Sequence, residues 1–228
     1  KEKGKIRNLE AKLNADDMVG TCGIGHTRWA THGPPNSINS HPHTSGNIAL
    51  VHNGIIENYN ALKVNLGKQG HVFESDTDSE VLAHLIEELY KGDLVSAVQQ
   101  ALQVVDGAFG IAVTHSDHPD LIVGARRGSP LVVGVGDGAN YLASDVAAIM
   151  GQTRQVIYLD DGEMVTLTPE GVHTFNIDNE TVTKEIQEIT WDLESIQKGG
   201  YEHFMLKEIF EQPQTIKDSF RGRILAEA

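Results

Sequence analysis

Residues 25–60 read GHTRWATHGPPNSINSHPHTSGNIALVHNGIIENYN, and this stretch sets an arginine, five histidines and an Asn-Gly pair around short apolar runs. Within it, Asn47 to His52 (NIALVH) is bounded by Gly46 before and Asn53-Gly54 after, the punctuation of a β-strand. An Asn-Gly pair in that position reads in two ways. It is the default hairpin turn between apolar runs, or it is a strand end that offers a side-chain amide and a glycine N–H as an oxyanion hole. The following IIEN does not alternate like a return strand, which weakens the turn reading.

Outward from this stretch, Val81, Leu82, Leu85, Ile86 and Leu89 recur with helical spacing, with Asp78 or Ser79 as the N-cap and Asp76 as a competitor. Leu94, Val98, Leu102 and Val105 repeat the pattern after Asp93, so two amphipathic helices are expected. From Ala108 the pattern becomes strand-like: AFGIAVTH, LIVGAR, LVVGVG, NYLAS, QVIYL, EMVTLT, VHTFNI and VTKEIQEI, separated by turn-rich segments such as HSDHPD, GDGA and DNET. Short strands with tight connections pair antiparallel, and helices grouped apart from them define an α+β layered domain. After Thr190 the composition shifts to a Gly-Gly break and a helix carrying Pro213, in which Phe204, Ile209 and Phe210 want a partner surface.

The 228 residues carry 18 basic against 32 acidic side chains, a formal charge of −14 that repels a phosphate backbone and excludes nucleic-acid binding. No apolar run approaches the length of a membrane span, and KEKGKIRNLEAKL lacks the apolar core of a secretory signal, so no membrane association and a cytoplasmic location are expected.

Arg28, beside Thr31 and His32, suits a bidentate grip on a carboxylate, or else stacks on Trp29 at the surface. Asp78 is an N-cap or the partner of a substrate ammonium, and with Arg28 it would define a pocket for a zwitterion. His41-Pro42-His43, with His26, His32 and His52, invites a metal reading, but no usual metal-site spacing is matched and a proline-stiffened loop explains them better. Cys22 lies at the start of an apolar run without a base beside it in sequence and reads as packed and inert.

HTRWATHG, N-x-HPH, VHNGIIENY and TDSEV, in this order, resemble the glutaminase domain of the glutamine-fructose-6-phosphate aminotransferase family, from about Lys5 through SPLVVGVG and LASD to YEHFMLKEIFEQP. The resemblance implies an N-terminal-nucleophile hydrolase fold, a four-layer α/β/β/α sandwich with antiparallel sheets whose opening strands have no counterpart in these residues. It divides the chain into a glutaminase domain over residues 1–195, partial at its start, and an exit segment over 196–228 toward a sugar-phosphate isomerase domain. By the same resemblance, Arg28, Thr31 and His32 hold the α-carboxylate of L-glutamine, Asp78 holds its ammonium, and Trp29 belongs to a loop that closes over it. Asn53 and the Gly54 N–H form the oxyanion hole. Glutamine is hydrolysed through a cysteinyl thioester, and the ammonia aminates fructose-6-phosphate.

The resemblance implies no metal or organic cofactor, and a homo-oligomer in the full-length protein. Family members begin with the nucleophilic cysteine, whose α-amine is the base, whereas residue one here is Lys1. The expectation is that the nucleophile belongs before Lys1 and that residues 1–228 alone are inactive. The competing readings are a non-catalytic glutamine-binding regulatory module and a histidine-ligated metal hydrolase.

Overall fold

Strand β2 (Ile48–Ile56) is nine residues long and continues through Asn53-Gly54, where the sequence pattern expects it to stop at His52. The hairpin reading fails because β3 (Gly107–His115) pairs with β2 antiparallel along its whole length, from Ile48 opposite His115 to Ile56 opposite Gly107. Gly54 takes φ 130°, a conformation that side chains disfavour, and a Cβ there would meet the Ala108 carbonyl oxygen at 2.1 Å. Only glycine lets the two strands stay paired at this point.

The computed structural model describes residues 1–13, 20–28, 33–190 and 199–220. The chain divides into two compact units, Lys1–Glu188 and Ile189–Ala228. In the first, a short helix α1 (Ile6–Glu10) precedes β1 (His43–Ser45), a strand hidden in the expected proline-stiffened loop, which pairs with β2. After β2 come helices α2 (Tyr59–Lys68), α3 (Asp78–Leu89) and α4 (Leu94–Val104). Helix α2 escapes the sequence pattern because its apolar face is thin, with Leu66 buried and Tyr59 and Leu62 only partly buried against the core. By contrast α4 buries Leu94, Ala97, Val98, Ala101 and Leu102, an i, i+3, i+4 stripe.

The strands that follow are β4 (His118–Arg127), β5 (Val132–Val135), β6 (Asn140–Ala143), β7 (Gln155–Tyr158), β8 (Glu163–Thr168), β9 (Gly171–Asn176) and β10 (Gln187–Glu188). They form two antiparallel sheets, one ordered β1-β2-β3-β4-β8-β9 and one ordered β10-β7-β5-β6. Of the expected strand VTKEIQEI, only Gln187–Glu188 pairs in a sheet; its start merely bridges back, with the Val182 N–H donating to the Thr174 carbonyl at 3.0 Å.

The helices pack on the six-stranded sheet through a core that includes Leu50, Ile56, Ile86, Leu102, Phe109 and Ile111. Each such fully buried side chain contributes about 1.5–3 kcal/mol relative to exposure. A second core of Leu131, Val133, Ile157, Leu159, Val165 and Leu167 joins strands of the two sheets. The fold is α+β, as its pattern of helices and antiparallel strands requires. Among the described residues, no helix is long and apolar enough to cross a membrane.

In the second unit, the helix Phe204–Phe220 carries Pro213 inside it, and Phe204, Ile209 and Phe210 are exposed. Tyr201 stacks on Phe210 with ring centroids 5.7 Å apart.

Candidate active site

The N-terminus of α3 is built by a Thr-x-x-Glu pair. Thr77 is the N-cap and its hydroxyl accepts the Glu80 N–H, so neither Asp78 nor Ser79 nor Asp76 caps the helix. The Glu80 carboxylate reaches back to the N–H groups of Glu74 and Ser75 at 2.9 and 2.8 Å. Burial pushes this carboxyl up, but those donors and the Ser75 hydroxyl outweigh it and hold it below the ordinary glutamate value.

Released from capping, Asp78 turns to the end of β2. Its Oδ2 accepts the Ile56 N–H at 2.8 Å, and the residue is 3% exposed. Asn58 closes the same corner by donating to the Val104 carbonyl at 2.8 Å and accepting the Asp106 N–H at 3.1 Å.

Arg28 donates to the carbonyls of Gly33 and Pro34 at 3.2 and 3.1 Å, which ties the loop at Gly33-Pro34 to the guanidinium. Asn39 secures the far end of that loop by donating to the Pro34 carbonyl at 3.1 Å and accepting the Asp76 N–H at 3.0 Å. Arg28, Asn53, Gly54 and Asp78 then line one cavity of about 180 Å³, together with His26, Thr27, His41, His52, Thr77 and Ser79. A larger cavity of about 420 Å³ shares His26, Thr27, His52 and Asn53 and extends between the sheets to Ile111, Leu131 and Leu142. Trp29, Thr31 and His32 lie outside the described residues.

The histidines form the scaffold of this site. His26 Nε2 lies 2.7 Å from Asn53 Oδ1, and because that oxygen can only accept, the imidazole donates and leaves both Nδ2 hydrogens of Asn53 to another acceptor. The His26 ring packs on His41 tilted by 42°, with centroids 4.2 Å apart, and His41 meets His43 edge-on at 4.9 Å. His43 Nε2 is 3.1 Å from the Thr77 hydroxyl, so the row of rings runs from the amide of Asn53 to the cap of α3. His52 bonds the Ser79 hydroxyl through Nδ1 at 2.8 Å.

Burial, reinforced by His26, His43, His52 and Arg28, pushes His41 down to about 2. Burial first, then the Lys1 charge, pushes His43 down to about 4. Both rings are therefore neutral near pH 7 and serve as packing and hydrogen-bonding groups, not as cations. Cys22 stands apart from the cavity lining, and burial, helped by Asp120, raises its thiol above the ordinary value, away from the thiolate that a nucleophile needs.

Residues 26–151, more than half of the chain, match the family profile described as "Glutamine amidotransferase domain". The chain belongs to this family. Among curated relatives, the glutamine--fructose-6-phosphate aminotransferase [isomerizing] of Chlorobaculum tepidum is 54% identical over 236 residues and that of Aquifex aeolicus 51% over 229. Each alignment covers 100% of this chain but only 38% and 39% of the relative.

Among solved structures, the glutamine phosphoribosylpyrophosphate amidotransferase of B. subtilis superimposes with a TM-score of 0.57 at 29% identity, over 68% of this chain and 35% of that one. The fold is that of the N-terminal-nucleophile amidotransferases. Of the amidotransferase residues expected from sequence, Arg28, Asn53, Gly54 and Asp78 share one cavity. Sequence reasoning missed His26 as the partner of Asn53, Ser79 as the partner of His52, and Thr77 as the partner of His43. For His26 a signal existed, since it stands two residues before Arg28 in HTRW; for Ser79 and Thr77 the pairing is purely tertiary.

Proposed function

We propose that this chain is the glutaminase part of a glutamine-fructose-6-phosphate aminotransferase. The observation that carries the reading is the single cavity lined by Arg28, Asn53, Gly54 and Asp78. Arg28, with Thr31 and His32, binds the α-carboxylate of L-glutamine, and Trp29 belongs to the loop that covers it. Asp78 is a buried carboxylate with one backbone donor, and a substrate ammonium supplies the compensating charge that its burial calls for.

With both ends of the zwitterion held, the side-chain amide lies toward Asn53, whose free Nδ2 donors and the Gly54 N–H stabilise the oxyanion of the tetrahedral intermediate. The nucleophile is a cysteine outside residues 1–228, because Cys22 is neither in the cavity lining nor activated. Its sulfur attacks the amide carbon, the C–N bond breaks as the leaving nitrogen takes a proton and departs as ammonia, and water cleaves the thioester to glutamate and free thiol.

The ammonia aminates fructose-6-phosphate to glucosamine-6-phosphate in an isomerase domain. Residues 1–195 form the glutaminase domain and residues 196–228 lead toward that isomerase domain, in a cytoplasmic homo-oligomer. The 51–54% identity to aminotransferases of this name supports the reading. Calorimetric titration of L-glutamine tests it: Arg28→Ala and Asp78→Asn each weaken binding at least roughly tenfold, the worth of one charge-assisted contact. Unchanged affinity in both variants refutes the assignment.

A further inference from the structure

We propose that His71, His84 and Glu87 form a binding site for a divalent transition-metal ion of the zinc class, away from the amidotransferase cavity. His71 comes from the connection between α2 and α3, and His84 and Glu87 stand three residues apart on α3, so one helical face presents both toward that connection. The Nδ1 atoms of the two imidazoles face each other at 2.9 Å with their rings nearly perpendicular, at 77°. One ligand atom from each of the three residues lies within 4.8 Å of the others.

The hydrogen bonds around the cluster prepare it for a cation. His71 Nε2 lies 3.1 Å from a Glu88 carboxylate oxygen, which can only accept, so the proton of a neutral His71 sits on Nε2 and its Nδ1 lone pair is aimed at His84. A carboxylate behind the imidazole is the arrangement that fixes the tautomer of metal-binding histidines. Glu87 is in turn held by the Ser45 hydroxyl of β1.

Zinc–nitrogen bonds of about 2.0–2.1 Å at a tetrahedral angle place two nitrogens about 3.3 Å apart, so the imidazoles need to separate by only about 0.4 Å. Two imidazoles and a carboxylate leave a fourth position for water, the donor set of an open zinc site. The formal charge of −14 favours a cation over an anion. A bound ion would fasten the connection carrying His71 to α3, the helix that begins with Asp78.

The test uses the full 228-residue chain stripped of metal. Titration with Co²⁺, a coloured probe for zinc sites, is followed by visible absorption, and titration with Zn²⁺ by calorimetry. The expected result is one equivalent bound, with the cobalt bands lost in His71→Ala and in His84→Ala but kept in His173→Ala, an exposed histidine on β9. Zn²⁺ at a hundredfold excess over Kd should raise Tm by about 5–10 °C.

Glu88→Gln, at an exposed position that leaves folding intact, should weaken Zn²⁺ binding roughly 10–100-fold. No cobalt band in the wild type, bands that survive both histidine variants, or a Glu88→Gln affinity equal to wild type overturns the proposal, and the histidine contact is then an ordinary N–H···N hydrogen bond.

Discussion

Replacing Gly54 by alanine should be among the most damaging single-methyl changes in this chain. The residue has φ 130°, and the methyl carbon of an alanine there would lie 2.1 Å from the Ala108 carbonyl oxygen and 2.7 Å from the Ala108 carbonyl carbon. Both are backbone atoms of the paired strand, so no side-chain rotation relieves the contact. The strained backbone conformation alone costs of order 1–3 kcal/mol. Parting β2 from β3 locally sacrifices ladder hydrogen bonds worth about 1 kcal/mol each. The sum is roughly 4 kcal/mol, or a Tm lowered by about 8–15 °C for a chain of this size.

Gly138 provides the control, with φ 76° and nothing within 4 Å of the added carbon. Gly138→Ala should cost about 1 kcal/mol, or about 2–4 °C. Thermal unfolding by circular dichroism of the two variants decides the matter. If Gly54→Ala melts within about 3 °C of Gly138→Ala, the claim that the β2–β3 approach demands glycine is wrong.

His26→Ala frees the Asn53 amide to rotate, so in the glutamine-hydrolysing protein kcat should fall roughly 10²-fold while KM changes little; a fall confined to KM would remove His26 from oxyanion positioning. The folded chain keeps His41 and His43 neutral down to about pH 2 and 4, whereas the unfolded chain protonates them near 6.5. Their contribution to stability is complete above pH 6.5 and is lost as pH falls, by about 2 kcal/mol per imidazole at pH 5. Denaturant unfolding at pH 7 and pH 5 measures this, and equal midpoints would contradict the neutral assignment. Thr77→Ala removes the α3 cap and the His43 partner, for a loss of about 2 kcal/mol, or roughly 4–8 °C by calorimetry. Cys22→Ala should leave glutamine binding unchanged in calorimetric titration, since the thiol is not in the cavity lining.

Much of the architecture was legible in the chain because its signals are local. Alternating apolar residues between turn segments located β3 through β9, although HSDHPD, read as a turn, gives His115 to β3 and His118–Asp120 to β4, and the i, i+3, i+4 stripes marked α3 and α4. Where the pattern misled, a long-range partner had overruled a local preference. Asn53-Gly54 is ordinary turn chemistry, yet β3 holds it extended. TDSEV offers several capping side chains, and the competition went to Thr77, whose hydroxyl accepts the Glu80 N–H while Asp78 is drawn to the Ile56 N–H. Helix α2 and strand β1 carry too little apolar periodicity to announce themselves and exist through what they pack or pair against.

By itself, the sequence determined which chemical groups are available: an arginine, an aspartate, an Asn-Gly pair, a formal charge of −14 and one thiol. Tertiary structure alone decided how those groups are used. Arg28 and Asp78 are fifty residues apart, on an irregular segment and on α3, and only the tertiary fold brings them to one cavity. The histidines carry no instruction in their spacing; their roles arise because burial keeps His41 and His43 neutral and packs the rings of His26, His41 and His43 between Asn53 and Thr77. Desolvation and hydrogen-bond direction are properties of an enclosed space, and a chain has no enclosed space until it folds.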